Sequence, residues 1–205
     1  MDPHELEGLA LVPYTETGID PADPPPIFDL VRAYLGVRVE RPGHMAGLAT
    51  SYRMGGKDRI AVRAGVVVEY AQFYAAHELA HVVLRRVGHP GAEDEPHANY
   101  LGAAMLLPRA AVAASYRAEG FAPRALAEAI VCTQTAAALR FGEVLGAPLA
   151  AVSPAVVRVR GPSAWVWPDE DTIRAWAQRP RPGLSRVRLT DQPRRVALLA
   201  DDDVA

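Results

Sequence analysis

Two histidines and a glutamate stand in a segment that otherwise has the composition of a buried helix. The segment is FYAAHELAHVVLRR, residues 73–86, and its apolar and alanine residues recur at helical spacing from about Glu69 to Arg86. His77 and His81 are four residues apart, nearly one helical turn, so both imidazoles project from the same face. Burial of imidazole and carboxylate is costly unless a partner compensates for the lost water. We therefore expect the two histidines to hold a metal ion.

His77, Glu78 and His81 form the pattern H-E-x-x-H, which is typical of a catalytic zinc site. Such a site takes three ligands from the protein and keeps one position open for water. Glu78 lies about 100° round the helix from His77, so it would flank the ion and could accept a proton from the attacking water. The pattern predicts zinc-assisted hydrolysis, naturally of peptide bonds, and manganese could replace zinc in the cell.

The third ligand is expected at the start of the next predicted helix. Glu95 begins that helix, fourteen residues after His81 and beyond a stretch rich in glycine and proline. The competing candidates nearby are His89, Glu93, Asp94 and His97. His97 follows Glu95 by two residues, about 200° round a helix, so these two side chains cannot face the same ion. Asn99 shares a face with Glu95 and is expected to orient a ligating imidazole.

The competing interpretation is a helix whose histidines are satisfied in the core without metal. In a chain with six histidines, the pentapeptide alone could arise by chance. Its position in the middle of a helix and the acidic helix start at Glu95 favour the metal site. The small residues Ala98 and Gly102 would also let the second helix approach the first closely. We therefore prefer the metal site.

Composition excludes several other classes of protein. A chain of 205 residues that is 50% hydrophobic can form one compact domain with a small appendage. The single cysteine, Cys132, rules out an internal disulfide and fits a reducing compartment. No apolar run reaches the roughly 18 residues of a membrane span, and the start MDPHELEG is acidic. We expect a cytoplasmic protein without a membrane partner.

The pattern along the chain predicts an α+β fold in three parts. Residues 1–25 look irregular, residues 26–150 form the main domain, and residues 151–205 form a small basic β-rich module. The main domain is predicted to contain a helix at about 26–35, then a glycine-rich, antiparallel small sheet that packs on the H-E-x-x-H helix. The helix from Glu95 and two or three further helices follow. The last part contains the strand-like segments VVRVR, AWVW, SRVRL and RRVALL, with a helix at DEDTIRAWAQ.

The two site helices resemble those of the ImmA/IrrE family of metallopeptidases, gluzincin-like proteins of bacteria, phages and mobile elements. In that family the first helix reads like A-H-E-L-x-H, here AAHELAH. The second reads like E-x-x-A-N-x-x-A-x-x-L-L-x-P, here EPHANYLGAAMLLP, residues 95–108. The resemblance covers about residues 25–145 and implies a compact zincin-like domain over residues 26–150. It further implies zinc ligands His77, His81 and Glu95, with Glu78 as general base and acid.

The resemblance also implies how the substrate binds and what it is. An extended chain would add to an exposed edge strand at Ile60, Ala61, Val62 and Arg63. The family's typical substrate is a helix-turn-helix transcriptional repressor, cut once to release a stress, phage-defence or mobile-element operon. We interpret the chain as a zinc-dependent, site-specific endopeptidase for such a repressor. The alternative is a metal-stabilised regulator that binds a repressor or DNA without catalysis.

Cys132 supports a hypothesis about regulation. It lies in AIVCTQTAAALRF, a segment that the family tends to place against the active-site cleft. A thiolate there could occupy the fourth position on zinc, which catalysis needs for water, and so inhibit the enzyme. The simpler interpretation is that Cys132 is a small buried hydrophobic residue.

The arginine-rich end of the chain supports a hypothesis about partners. Residues 158–195 hold nine arginines against four acidic residues, with Trp165, Trp167 and Trp176 among them. Phosphate contacts and base stacking would suit single-stranded DNA or another effector. The competing interpretation is a solvated basic face that binds nothing.

Overall fold

The computed structural model describes residues 2–89, 94–152, 157–160, 170–179, 184–189 and 195–200. Its helices are α1 (Pro3–Ala10), α2 (Val12–Thr17), α3 (Ile27–Leu35), α4 (Val68–Arg86), α5 (Glu95–Leu106), α6 (Arg109–Glu119), α7 (Pro123–Ile130), α8 (Gln134–Leu145) and α9 (Glu170–Gln178). Its strands are β1 (Ala49–Met54), β2 (Lys57–Val62), β3 (Leu149–Val152), β4 (Val157–Arg160), β5 (Leu184–Leu189) and β6 (Arg195–Ala200). None of the helices within these ranges is long and apolar enough to span a membrane.

The chain forms two compact units. The first comprises Met1–Ala111 with Ile130–Cys132, and the second comprises Val112–Ala129 with Thr133–Ala205. Helices dominate, and the two small sheets are antiparallel. This mixture is consistent with the predicted α+β class. The predicted domain boundaries at residues 25 and 150 stay a prediction.

The prediction that residues 1–25 are irregular is wrong for residues 3–17, which form α1 and α2. The Asp2 side chain accepts a hydrogen bond from the backbone N–H of His4, and the Glu5 side chain accepts one from the backbone N–H of Asp2. This reciprocal capping starts α1. Tertiary contacts add to it, because the buried Tyr14 donates its hydroxyl to the carbonyl of Met105, 2.6 Å away in α5. Burial also raises the pKa of Tyr14.

The predicted antiparallel sheet is a hairpin of β1 and β2. Its register runs from Ala49 opposite Val62 to Met54 opposite Lys57. The connecting Gly55 and Gly56 both have positive φ, a conformation that glycine adopts at no steric cost and that a two-residue hairpin turn requires. Both strands contact α4, the helix that carries H-E-x-x-H.

The second unit contains a four-stranded sheet in the order β4-β3-β6-β5. Alternate residues of β3 face opposite sides, as a pleated strand requires. Leu149 and Ala151 pack with Ala138 of α8, whereas Ala150 and Val152 pack with Ile173 and Ala177 of α9. The sheet is therefore covered by one helix on each face.

The sequence pattern located most of these elements. Strands β4, β5 and β6 coincide with VVRVR, SRVRL and RRVALL, and α9 coincides with DEDTIRAWAQ, whereas β3 was missed. The predicted strand AWVW, with Trp165 and Trp167, lies outside the described residues. Trp176 packs partly buried against the core beneath α9, so this indole contributes to the core of the unit. Nucleic-acid binding by this region stays a prediction.

Candidate metal centre

Three donor groups converge between α4 and α5. The Nε2 atoms of His77 and His81 lie 3.2 Å apart. The Glu95 carboxylate meets both rings, with Oε2 at 3.2 Å from His77 Nε2 and Oε1 at 3.5 Å from His81 Nε2. Donors around a tetrahedral zinc ion with bonds of about 2.0–2.1 Å are about 3.3–3.4 Å apart. The spacing of these groups therefore fits a zinc ion.

The site is lined by protein on the side of α4 and open on the side of α5. The side chains of His77 and His81 are 13% and 6% exposed, whereas that of Glu95 is 66% exposed. An ion held here would have low-dielectric protein behind it and access for water and substrate in front. This asymmetry is what a catalytic metal site needs, since a structural site is closed on all sides.

Glu78 stands beside the first ligand on α4 and is buried. Its carboxylate makes no hydrogen bond or ion pair with the residues that the structure describes. It is therefore not committed to a structural partner in this part of the chain.

The close approach of the two helices depends on Gly102. A Cβ atom added at this residue would lie 2.8 Å from the backbone nitrogen of His77 and 2.9 Å from its Cα. Real Cβ atoms essentially never come that close to another atom, and helix backbone gives way less easily than a flexible side chain. Ala98, one turn earlier, is fully buried. The prediction that small residues bring α5 close to α4 is confirmed.

The neighbouring candidates for the third ligand have other contacts. Asp94 is the N-cap of α5, and its side chain accepts a hydrogen bond from the backbone N–H of His97. Its Oδ2 also lies 3.1 Å from His97 Nδ1, and the His97 ring contacts the His89 ring edge to face. Glu93 lies outside the described residues. Among those that are described, His77, His81 and Glu95 alone form a possible metal-binding group.

The role expected of Asn99 finds no support in the geometry. Asn99 is exposed on α5 and hydrogen bonds to neither imidazole. The Nδ1 atom of His77 is buried and has no hydrogen-bond partner among the described residues. Orientation of the His77 ring therefore rests on packing and on its contacts with His81 and Glu95.

Cys132 is buried, only 3% exposed, just after α7. Its sulfur does not belong to the group formed by His77, His81 and Glu95. The geometry thus gives no support to a thiolate as fourth ligand, and it agrees with the interpretation of Cys132 as a small buried side chain.

The predicted exposed edge at Ile60–Arg63 is wrong. On the side of β2 away from β1, the backbone N–H of Glu40 donates to the carbonyl of Ile60, and the N–H of Val62 donates to the carbonyl of Glu40, both at 2.9 Å. Ile60 and Val62 are fully buried, and the N–H of Arg63 donates to the carbonyl of Leu48. This edge is already paired and cannot accept a substrate strand without displacing the segment around Glu40.

Side-chain hydrogen bonds hold Glu40 in that position. The Tyr52 hydroxyl of β1 donates to Glu40 Oε2 at 2.7 Å, and Arg59 Nη1 of β2 donates to Oε1 at 3.0 Å. These hydrogen bonds, from Tyr52 first and then Arg59, lower the pKa of Glu40, because they stabilise its charged form. No sequence pattern indicates this arrangement, since a single paired residue has no strand periodicity.

Comparison with known proteins finds a family model that matches the domain containing this site. Residues 32–128 match the family model of peptidase M78, described as the IrrE N-terminal-like domain, and the match includes both site helices. The predicted resemblance to the ImmA/IrrE family is confirmed for this domain. No curated protein sequence matches the chain significantly.

Solved structures support the fold. A chain described as a Mycobacterium tuberculosis transcriptional regulator superposes with a TM-score of 0.60 at 17% sequence identity. The alignment covers 98% of this chain and 90% of that one. At this level of identity the likeness concerns the fold alone.

Proposed function

We propose that this protein is a zinc-dependent, site-specific endopeptidase that cleaves a helix-turn-helix transcriptional repressor. Cleavage would derepress a stress, phage-defence or mobile-element operon. The observation that carries the proposal is the convergence of His77, His81 and Glu95 at spacings that fit tetrahedral zinc, with Glu78 beside them. The match of residues 32–128 to a peptidase family model supports the same chemistry.

Each residue of the site has a separate role in the proposed hydrolysis. His77, His81 and Glu95 would hold the ion, and a bound ion would polarise the scissile carbonyl and lower the pKa of a water molecule. Glu78 accepts the proton of the attacking water and passes it to the departing amine. Gly102 keeps Glu95 within reach of both imidazoles by letting α5 lie against the backbone of His77. This arrangement is zincin-like.

An extended substrate segment would add to β1, since the outer edge of β2 is occupied by Glu40. Neighbouring residues of a strand direct their backbone groups to opposite sides. Ile60 and Val62 bond to Glu40, so Ala61 and Arg59 bond to their partners Thr50 and Tyr52 on β1. Ser51 and Arg53 then direct their N–H and C=O groups outward. Their backbone groups have no hydrogen-bond partner among the described residues.

A regulatory rather than a digestive role fits the comparisons. The structural neighbour is described as a transcriptional regulator, which supports a connection with transcription for this chain as well. A repressor would serve as substrate if a segment of it became extended and reached the edge of β1. Zinc, not manganese, is the ion we expect, because two imidazoles and one carboxylate suit tetrahedral zinc.

The decisive variant is Glu78→Gln, which keeps the size of the side chain and removes its basicity. We expect the purified protein to cut a helix-turn-helix protein encoded beside it into two fragments. The variant should cut it slower by about 10²–10⁴-fold, the usual contribution of general base catalysis. Zinc content and binding of the partner should stay unchanged.

Glu69→Gln is the matched control, because Glu69 lies on the first turn of the same helix, two turns before His77. It should cleave at the normal rate. Undiminished cleavage by Glu78→Gln would refute the proposed base. If Glu78→Gln abolishes cleavage but still derepresses the operon in cells, the protein is a metal-stabilised regulator that acts by binding a repressor or DNA.

A further inference from the structure

The face of α4 that carries the two histidines continues towards the start of the helix as a row of apolar side chains. Counted back from His81, the residues of this face follow at intervals of four or three, the spacing of neighbours on one side of a helix. They are His81, His77, Tyr74, Tyr70 and the N-cap Val67. None of the three residues before His77 in this row is charged. The candidate metal centre therefore adjoins an uncharged, largely apolar part of the same helix face.

This apolar row is not buried in the core. Val67 is 62% exposed and Tyr70 is 36% exposed, and Tyr74 is partly exposed. Single exposed apolar residues are ordinary on a protein surface, whereas several that adjoin one another are typical of binding sites. Because the row leads directly to His77, a ligand bound against it would also lie beside the metal centre.

Tyr74 is the member of the row that lies nearest to the chemistry. It precedes His77 by three residues and Glu78 by four, so its side chain neighbours both the first ligand and the proposed base. Side chains on a helix lean towards its N-terminus, which places the Tyr74 ring beside the metal centre rather than over it. The Phe73 ring meets the Tyr74 ring edge to face, with the ring centroids 6.2 Å apart. The Tyr74 ring thus has an aromatic support at the border of the candidate site.

The position of Tyr74 determines which substrate side chains it can contact. A substrate that is to be hydrolysed must place its scissile carbonyl next to both the metal ion and Glu78. A side chain attached beside that carbonyl can then lie against the Tyr74 ring. An apolar side chain gains free energy from this contact, whereas a charged one would lose water and meet no opposite charge on this row of α4.

We infer that Tyr74 forms the floor of an apolar subsite and that the substrate carries a large apolar residue, aromatic or branched aliphatic, next to the scissile bond. The inference rests on the proposed function and specifies its substrate. Tyr74 acts through its ring and is a specificity-determining residue. Tyr70 and Val67 extend the same surface away from the metal centre.

Small hydroxamates test the inference without requiring catalysis, because the hydroxamate group binds zinc while its tail contacts the neighbouring surface. The probes are acetohydroxamate, phenylacetohydroxamate and succinic monohydroxamate, whose tails end in a methyl group, a phenyl group and a carboxylate. Calorimetry on the zinc-loaded protein measures the three dissociation constants. We expect the phenyl probe to bind about 10–100-fold more tightly than the methyl probe through burial of its ring. The carboxylate probe should bind no more tightly than the methyl probe.

Two variants at one position locate the effect. Tyr74→Ala should reduce the preference for the phenyl probe about tenfold. The methyl probe should bind to this variant as before, which shows that the variant is folded and holds zinc. Tyr74→Phe should retain the preference, because it retains the ring. Tyr34→Ala is the matched control and should also retain it, since Tyr34 is partly exposed but lies on α3 against Arg86, at the far end of α4.

The outcomes separate this inference from the proposed function. Equal affinity for the methyl and phenyl probes, or an equal loss of preference in Tyr34→Ala, would overturn the inference and leave the proposed metal centre intact. Loss of the preference in Tyr74→Phe would also overturn it, because the hydroxyl rather than the ring would then be responsible. Failure of all three probes to bind would refute the metal centre and both proposals with it. Cleavage of the repressor by the unmodified protein judges the proposed function separately.

Discussion

Two glycines inside helices allow unusually close packing, Gly102 at the candidate site and Gly142 where α8 packs on the C-terminal sheet. A Cβ atom at Gly102 of α5 would lie 2.8 Å from the backbone nitrogen of His77. A Cβ atom at Gly142 of α8 would lie 2.7 Å from the Cβ of Leu149 on β3. A helix glycine thus brings the proposed ligand Glu95 close to the histidines in one unit and permits close packing of a hydrophobic core in the other.

The buried polar groups near the two glycines differ in their partners. The helices that meet at Gly102 carry the buried Glu78 and His81, and the Glu78 carboxylate has no hydrogen-bond partner among the described residues. In the other unit, α8 carries the fully buried Arg140, whose Nη1 donates to Glu143 Oε2 at 3.2 Å. Burial of an ionisable group without a partner is costly, so Glu78 is the buried group that a metal site would explain. Substitutions that separate metal binding from stability make this comparison testable.

The largest effect is expected for His81→Ala, which removes one of three ligands. Zinc affinity should fall by at least about 100-fold, since the ligands jointly supply the binding free energy. His97→Ala is the matched control, because His97 lies near the site but contacts Asp94 and His89. Titration with a chromogenic zinc chelator measures both affinities. An equal loss in the two variants would show that the ligand set is wrong.

The two glycines themselves give the next prediction. Gly102→Ala should weaken zinc binding by about 10–100-fold, as loss of a supporting contact usually does, because α5 must move away from His77. Gly142→Ala should lower the free energy of unfolding by about 1–3 kcal/mol through overpacking and leave zinc affinity unchanged. Chelator titration and chemical denaturation measure the two quantities. If both variants lose zinc affinity equally, Gly102 has no specific role in placing Glu95 near the two histidines.

Cys132→Ser tests the remaining alternative ligand. Because the sulfur lies outside the donor group, zinc affinity and basal cleavage should be unchanged. The free energy of unfolding should fall by about 1–3 kcal/mol, since a hydroxyl replaces a buried thiol. A rise in basal cleavage would instead support an inhibitory thiolate.

The smallest effect, a change in Tm, is expected at the edge of β2 that pairs with Glu40. Hydrogen bonds from Tyr52 and Arg59 lower the pKa of Glu40, so its carboxylate stabilises the fold at neutral pH. That contribution is lost as the pH falls through the lowered pKa of the folded state. Glu40→Gln should lower Tm at neutral pH by about 1–3 °C, and the difference from the unmodified protein should shrink in acid. A pH-independent difference would contradict this role of the charge.

The sequence predicted the centre of the site because the relevant spacings are local. His77, Glu78 and His81 follow from the helical period, and Glu95 follows from its place at a helix start. The close contact at Gly102 was also predicted from residue size. These inferences need only the geometry of one helix or of two adjacent helices.

Features that depend on tertiary contacts were missed. Glu40 is the only residue of its segment that forms a bridge to β2 among the described residues, and a single residue has no periodic pattern that would predict the pairing. Asn99 has the helical spacing of a supporting residue yet lies exposed, because spacing fixes the direction of a side chain but not the distance to its target. Helix α1 had a visible signal, the capping pair Asp2 and Glu5, that proline-rich surroundings obscured.

X-ray absorption at the zinc edge of the purified, chelator-free protein determines which atoms bind the ion. We expect one zinc ion per chain, bound by two imidazole nitrogens and otherwise by oxygen atoms, at about 2.0–2.1 Å. Absence of zinc would refute the proposed metal site, and so would a sulfur ligand at about 2.3 Å, which would bring Cys132 into the site.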